Sequence, residues 1–289
     1  MIPDWETLVP ILVHIQANLE GDLSLQALAG KAGLSPFYFQ RLFKAAIGET
    51  PKSYTLRLRL ERAAFRLMLH EGSVLDLAIE CGFQSHESFC RAFRRRFSTN
   101  PSEYREAVRR RTASRAGKPP APVEDPARHF EISATSVVQL RPTHLAFLRH
   151  TGPYEAVPES MFDELEDWAA RRRQPGPPVW MGIGHDSPAT TPAAHLRFDA
   201  ALQVPGPFAP AGRIAYQLLP GGHFALTTHA GPHETLPAAY ATIFPRILSL
   251  SGYRVIGLPA IEIYHTAKVN PQLQINHTGI YLPMERLHS

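Results

Sequence analysis

Residues 75–105 read LDLAIECGFQSHESFCRAFRRRFSTNPSEYR, and this stretch decides the fold of the first third of the chain. Phe89 and Phe93 stand one helical turn apart and make an inward apolar edge. His86, Glu87, Ser88, Arg91, Arg94 and Arg95 are left outside it. The same pattern occurs earlier. Ala29 and Gly33 stand 49 residues before Ala78 and Gly82. Past one extra turn residue the spacing becomes 50. Ser35, Phe39, Phe43, Pro51 and Tyr54 then match Ser85, Phe89, Phe93, Pro101 and Tyr104. So many matches at a constant offset predict two copies of one unit, each a helix, a tight turn and a second helix.

In the first copy Ser24 is placed to cap a helix from Leu25, and Gly33 supplies the turn residue. Ser35 caps the next helix, with Pro36 at the first position, where a missing N–H does no harm. Phe39, Leu42, Phe43 and Ala46 form its apolar stripe, and Phe37, Gln40, Arg41 and Lys44 form the complementary one. Helix-turn-helix pairs also serve purely structural roles. Long donors opposite a packed face, however, suit the DNA major groove, where they reach base edges and phosphates. Between the copies, Thr50-Pro51 opens a pattern through Tyr54, Leu58, Ala64 and Met68. It predicts a helix of about nineteen residues, about 28 Å long at 1.5 Å per residue. Consecutive major-groove faces of B-DNA lie about 34 Å apart, so one rigid helix could hold two reading helices at nearly that separation.

Charge is uneven along the chain. Of its 289 residues, the first 111 hold sixteen Lys or Arg against twelve Asp or Glu, and the remainder is balanced. The basic run Arg91, Arg94, Arg95, Arg96, Arg105, Arg109, Arg110 and Arg111 is read either as a solvated helix face or as a polyphosphate-binding surface. Residues 112–126, TASRAGKPPAPVEDP, have linker composition. The boundaries expected are therefore 1–111 for the helical domain, 112–128 for the linker and 129–289 for a second domain. A hydrophobic content of 44% with 19% charged residues excludes a disordered chain. Residues 1–20 interleave polar and apolar positions, unlike a signal peptide, and no apolar run is long enough to span a bilayer. Two cysteines, Cys81 and Cys90, exclude a disulfide scaffold and a four-cysteine zinc site. A soluble, cytoplasmic protein is expected.

The back half repeats itself too. His150-Thr-Gly-Pro-Tyr-Glu155 recurs 79 residues later as His229-Ala-Gly-Pro-His-Glu234. Strand-like runs precede each copy, at Leu145–Leu148 and Phe224–Thr227. Helical stretches follow, with Phe162, Leu165 and Trp168 on one face of the first and Tyr240, Phe244 and Ile247 on one face of the second. Strands over 179–184 and 196–204 complete the first copy, and strands over 260–265 and 279–284 the second. The prediction is an α+β domain of duplicated strand–helix–strand–strand units, with a ligand cleft between the halves. Within Pro259-Ala-Ile-Glu-Ile-Tyr264, Glu262 and Tyr264 point away from Ile261 and Ile263. Glu262 is either exposed on an outer face or held inside. An interior carboxylate needs a cationic partner, which makes it a candidate anchor for a positively charged ligand against aromatic side chains.

Other chemistry finds little support. His223, His229 and His233 are the tightest of fourteen histidines, but no cysteine or second acidic ligand stands near them, so a zinc site is set aside. No nucleophile elbow, phosphate loop or dinucleotide fingerprint occurs, and no cofactor is expected.

Residues from about Leu23 to Arg109 resemble the tandem helix-turn-helix domain of the AraC/XylS family of transcription regulators, and the stretch quoted first is close to that family's signature. By position, the resemblance implies base contacts from Phe37, Gln40 and Arg41 in the first reading helix. In the second it implies His86, Glu87, Ser88 and Arg91; Lys44 and Arg95 are assigned to the DNA face with them. Residues 130–286 resemble the GyrI-like small-molecule-binding domain through GPY, FDELEDWA, WMGIGHD, LRFDAAL, PGGHFAL, IEIY and IYLPM, in that order. That likeness implies that Glu262 lies in a central cavity lined by Trp180, Tyr154, Tyr264 and Tyr281. The function expected is a sequence-specific DNA-binding transcription regulator, not an enzyme, that senses a small hydrophobic molecule, a cation being the form Glu262 suits. Its expected partners are double-stranded DNA, the small-molecule effector and RNA polymerase, with no membrane. The alternative is a Glu262-dependent hydrolase of a reactive small molecule, fused to a DNA-binding module.

Overall fold

The computed structural model describes residues 5–69, 72–115, 129–172, 176–210, 212–257, 259–265 and 276–287. The chain divides into two compact units, Met1–Ala116 with Pro210–Ala215, and Gly117–Ala209 with Tyr216–Ser289. Most of the proline-rich seam, 116–128, lies outside the described residues. Among the described residues no helix is long and apolar enough to cross a membrane.

The first unit runs α1 (Trp5–Ala17), α2 (Leu25–Lys31), α3 (Pro36–Ile47), α4 (Pro51–Leu69), α5 (Val74–Glu80), α6 (His86–Phe97) and α7 (Pro101–Arg115). Helix α7 carries on to Arg115, past the expected start of the linker, because Thr112–Arg115 contains no glycine or proline to stop it. Serine hydroxyls cap the four helices of the two repeats. Ser24, Ser35, Ser73 and Ser85 each accept a backbone N–H of the first turn, at 3.2, 3.4, 3.1 and 3.2 Å. Gly33 and Gly82 turn the chain at φ 67° and 80°, where a side chain would be strained.

The duplication extends to ring geometry. Phe43 meets Tyr54 at 5.5 Å and 75°, and Phe93 meets Tyr104 at 5.5 Å and 79°. Two separate cores result. Phe39, Leu42 and Phe43 pack with Leu28, with Tyr54 and Leu58 of α4, and with Leu8, Ile11, Leu12 and Ile15 of α1. Phe89 and Phe93 pack with Leu77, Cys81 and the later α4 residues Leu60, Ala63, Ala64 and Leu67. Helix α4, nineteen residues long as the sequence predicted, therefore supplies one wall to each core.

A chain of ions runs along the same helix. Arg57 donates from Nε and Nη2 to Glu49 Oε1 at 2.9 and 2.6 Å, and from Nη1 to Glu61 Oε2 at 3.1 Å. Arg96, near the end of α6, donates to Glu61 Oε1 at 3.4 Å. Glu61 is 4% exposed, and the guanidiniums of Arg57 and Arg96 offset the cost of burying its charge.

The second unit contains β1 (Glu131–Ile132), β2 (Ser136–Leu140), β3 (Thr143–Thr151), α8 (Ser160–Arg171), β4 (Trp180–Gly184) and β5 (Arg197–Val204). It continues with β6 (Ala215–Leu219), β7 (Gly222–Gly231), α9 (Leu236–Leu248), β8 (Tyr253–Val255), β9 (Ala260–Tyr264) and β10 (Asn276–Arg286). The main path of the sheet is β1-β7-β10-β9-β4-β5-β3-β6, with β2 on β7 and β8 on β10. The two predicted repeats thus lie in mirrored order, β3-β5-β4 against β7-β10-β9, and meet where β4 pairs antiparallel with β9. Strands β1, β2, β6 and β8 were not expected; β2 and β6 stand 79 residues apart and belong to the duplicated unit, β2 pairing with β7 and β6 with β3.

One packing detail differs from the helical faces predicted. The buried side chains are Met161, Leu165 and Trp168 on α8, and Ala239, Ile243 and Ile247 on α9. Phe162, Tyr240 and Phe244 are only half-buried.

Replacing Glu61 by alanine leaves Arg57 and Arg96 without their shared carboxylate. Removing one partner of a buried ion pair costs about 3–5 kcal/mol, and the low end is expected because Arg57 keeps Glu49. Urea unfolding of Glu61→Ala followed by circular dichroism checks this; an unchanged midpoint contradicts it.

Candidate functional site

Two sites are built by the two units. On α3, the residues assigned to the DNA face are all exposed: Phe37, Gln40, Arg41 and Lys44. Phe37 is 74% exposed, which no folding argument requires of a phenylalanine, and the Arg41 guanidinium lies 5.8 Å from its ring centroid. On α6, His86, Glu87, Arg91 and Arg95 are exposed. Ser88 is half-buried, and its hydroxyl donates to the Ser85 carbonyl at 2.8 Å, so that group is already occupied. His86 rests against Cys90, with Sγ 3.4 Å from Nε2. Glu87, Cys90, Arg91, Arg94, Arg95 and Asn100 line one shallow concavity. Burial pushes the thiols of Cys81 and Cys90 up, Cys81 to about 11, so neither is an activated nucleophile.

The second site lies on the face of the sheet shared by Glu262, Tyr264 and Trp180. Register fixes this: Glu262 stands opposite Gly182, and Tyr264 opposite Trp180. Glu262 is half-buried, and both of its oxygens are engaged. Tyr240 of α9 donates to Oε1 at 2.9 Å, and Tyr264 donates to Oε2 at 2.8 Å. Burial raises the Glu262 pKa, although the two phenols and His233 pull the other way. Burial and the neighbouring carboxylate push the Tyr240 and Tyr264 phenols well up, so both stay protonated donors. Phe162 of α8 meets Trp180 at 6.0 Å and Tyr264 at 5.9 Å, both edge-on, and His233 lies 5.4 Å from Tyr264. A carboxylate has about four lone-pair positions, so Glu262 can accept a further donor between these aromatic walls.

Tyr154 joins the same face, but its hydroxyl is committed. It donates to the Asp186 carbonyl at 2.6 Å and accepts the Asp186 N–H at 3.1 Å, leaving its ring to face a ligand. Tyr281 does not belong there. It stands opposite Ile261, one residue out of step with Glu262, and strand alternation turns it to the other face. The family likeness supplied an aromatic but not its parity.

Sequence reasoning did not assign Phe162, Tyr240 and His233 to this site. Phe162 and Tyr240 hold equivalent places in the structure, each following the first buried residue of its helix, Met161 or Ala239, but they stand 78 residues apart, one short of the repeat offset, so the repeat does not pair them. A buried polar network on the opposite face was missed altogether. Arg149 donates from Nε and Nη2 to the two Asp199 oxygens at 2.7 and 2.8 Å, while His185 and Gln217 reach the same carboxylate at 2.6 and 2.9 Å. Burial alone would raise Asp199; Arg149 and His185 more than reverse this and hold it well below the carboxylate range. Arg197 forks to Asp186 at 2.8 and 2.7 Å, which fixes the backbone that holds Tyr154.

Glycine at 182 is required by the site. A methyl group there would overlap the Tyr264 hydroxyl and the Phe198 ring. Gly182→Ala should therefore lower stability by about 1–3 kcal/mol, as overpacking does. It should also break the Tyr264–Glu262 hydrogen bond, read as a shift of the Tyr264 ring resonances; unchanged stability and resonances contradict this.

Comparison with known proteins agrees with this layout. The model for the GyrI-like small molecule binding domain matches residues 133–285, and a helix-turn-helix domain model matches residues 28–107. The TetD protein of transposon Tn10 from Escherichia coli is 42% identical over 95 residues, which are 33% of this chain and 69% of TetD. The regulatory protein SoxS of Escherichia coli K12 is 34% identical over 98 residues, 34% of this chain and 92% of SoxS. The transcriptional regulator Rob of Salmonella typhimurium is 36% identical over 97 residues, so the matched stretch spans only 34% of either protein. The chain belongs to the AraC-type helix-turn-helix regulators, as a member that also carries a GyrI-like small molecule binding domain.

Proposed function

We propose that the protein is a ligand-responsive transcription regulator, with α3 and α6 reading adjacent major grooves of one duplex. The observation that carries this is the duplicated helix whose exposed face holds Arg41 in one copy and Arg91 in the other, on cores that share α4. In this reading Phe37, Gln40, Arg41 and Lys44 enter one groove, and His86, Glu87, Ser88, Arg91 and Arg95 the next. Arg41 and Arg91 are suited to guanine O6 and N7, while Lys44 and Arg95 suit phosphates. RNA polymerase is the partner through which binding changes transcription, and the chain acts in the cytoplasm.

The effector in this reading is a hydrophobic, aromatic cation. It would stack among Phe162, Trp180 and Tyr264 and place its charge at Glu262, with the Tyr154 ring beside it. The half-buried carboxylate between protonated phenols supports this, because a cation offsets the charge that burial penalises. The raised pKa of Glu262 also favours a second reading, a general acid acting on a reactive compound.

Arg41→Ala should cost about 1–3 kcal/mol on a selected operator and relax one base position, measured by fluorescence anisotropy. Equal losses on operator and scrambled duplexes contradict the base-reading assignment. For the effector site, tetraphenylphosphonium is a suitable probe. The cation binds ionised Glu262, so affinity should be full above the raised pKa and fall as pH drops through it. Calorimetry should show this dependence lost in Glu262→Gln, and pH-independent binding by the native protein contradicts it. Unchanged mass after incubation supports the sensor. Turnover of an electrophilic compound that disappears in Glu262→Gln supports the enzyme.

A further inference from the structure

The residue one helical turn ahead of each reading arginine touches that arginine, and the two units use different chemistry to do so. In α3 it is Phe37, with the Arg41 guanidinium 5.8 Å from its ring centroid. In α6, fifty residues later, it is Glu87, whose Oε1 lies 3.8 Å from Arg91 Nη1. Glu87 is 87% exposed and Arg91 76%, so packing holds neither in place. A first-turn acid favours the helix dipole, but Ser85 already caps α6, and an exposed pair four residues apart adds little to a helix.

The setting of Glu87 is what needs explaining. Arg91, Arg94 and Arg95 surround it on the same exposed surface, which draws phosphates. A carboxylate repels phosphates, and the groups on DNA that it can accept from are the amino groups on base edges. The major groove offers two such groups, cytosine N4 and adenine N6. Arg91 beside it favours guanine, and guanine is paired with cytosine. One G·C pair therefore presents, along a single edge, two acceptors for an arginine and one donor for a glutamate.

We infer that Glu87 and Arg91 read one G·C pair together, Arg91 taking guanine O6 and N7 and Glu87 accepting from cytosine N4. The first unit, with Phe37 in the equivalent place, makes no such demand. The two halves of the operator are then chemically different, and the chain binds in one orientation. This rests on the reading of α6 as a DNA-contacting helix.

The test begins with selection of bound sequences from a random DNA pool by the full chain. The native protein should enrich a G·C pair in the half-site contacted by α6. Replacing that cytosine by N4-methylcytosine preserves pairing but covers the amino hydrogen facing the groove. Native binding should then weaken about tenfold, and binding by Glu87→Ala should change less than about twofold. Glu87→Gln should still select G·C, because its amide oxygen accepts from cytosine N4 while Arg91 takes guanine, but should discriminate less against A·T, since an amide also matches adenine N6 and N7. Both variants alter an exposed side chain, and matching circular dichroism confirms that they are folded. The pairing is overturned if Glu87→Ala selects the same sequence and responds to N4-methylcytosine as the native protein does. Failure of the native protein to enrich any sequence overturns the DNA reading itself, a result distinguishable from the first.

Discussion

The buried carboxylate of Glu61 sets the geometry of the helical unit. It sits on α4 between Arg57 and Arg96, and Arg57 reaches back to Glu49 just past the end of α3. The ends of α3 and α6 are thereby tied to one rod by directional bonds, which reinforce the restraint on rotation that the two apolar cores supply. The cores agree with this arrangement. Tyr54 and Leu58 close the first, and Leu60 to Leu67 close the second, so neither half can turn about α4 without opening one of them. Reading DNA with two helices of one chain requires that restraint, because an error in rotation removes side chains from the groove entirely.

The second unit follows a different logic. Its duplicated strands bring β4 and β9 together, and the repeat would place similar side chains on either side of the junction. The chain breaks the symmetry there, with glycine at 182 and glutamate at 262. One half supplies space and the other supplies charge. Tyr240 and Tyr264 then orient the carboxylate and offset part of the upward shift that burial imposes, and the aromatic side chains leave it only partly covered. A single half-satisfied acid at the junction suits one ligand charge.

Much of this was legible in the sequence because duplication turns spacing into structure. The offsets of 49 and 50 residues located both helix-turn-helix units, the apolar pattern from Thr50-Pro51 to Met68 gave the length of α4, and the offset of 79 located both strand–helix units. Strand alternation put Glu262 and Tyr264 on one face, and the resemblance to the GyrI-like domain put that face in a cavity. What stayed hidden depends on which strand lies beside which. Arg149 and Asp199 are directly opposite in register although fifty residues apart, and nothing in either strand alone reveals that pairing. Tyr281 was misplaced for the same reason, since its parity follows from pairing with Ile261. Glu61 escaped notice because a lone acid among the arginines of α4 reads as an exposed i, i+4 partner, and only the packing of α6 shows that it is buried.

The account depends most on one chain gripping one duplex through both repeats. Hydroxyl-radical footprinting of the full chain on a selected operator tests this most directly. The account predicts two protected segments on one face of the duplex, about one helical turn or 10 base pairs apart. In Glu61→Ala, the segment contacted by α6 should lose protection before that contacted by α3. A single protected segment, or two on opposite faces, would contradict it.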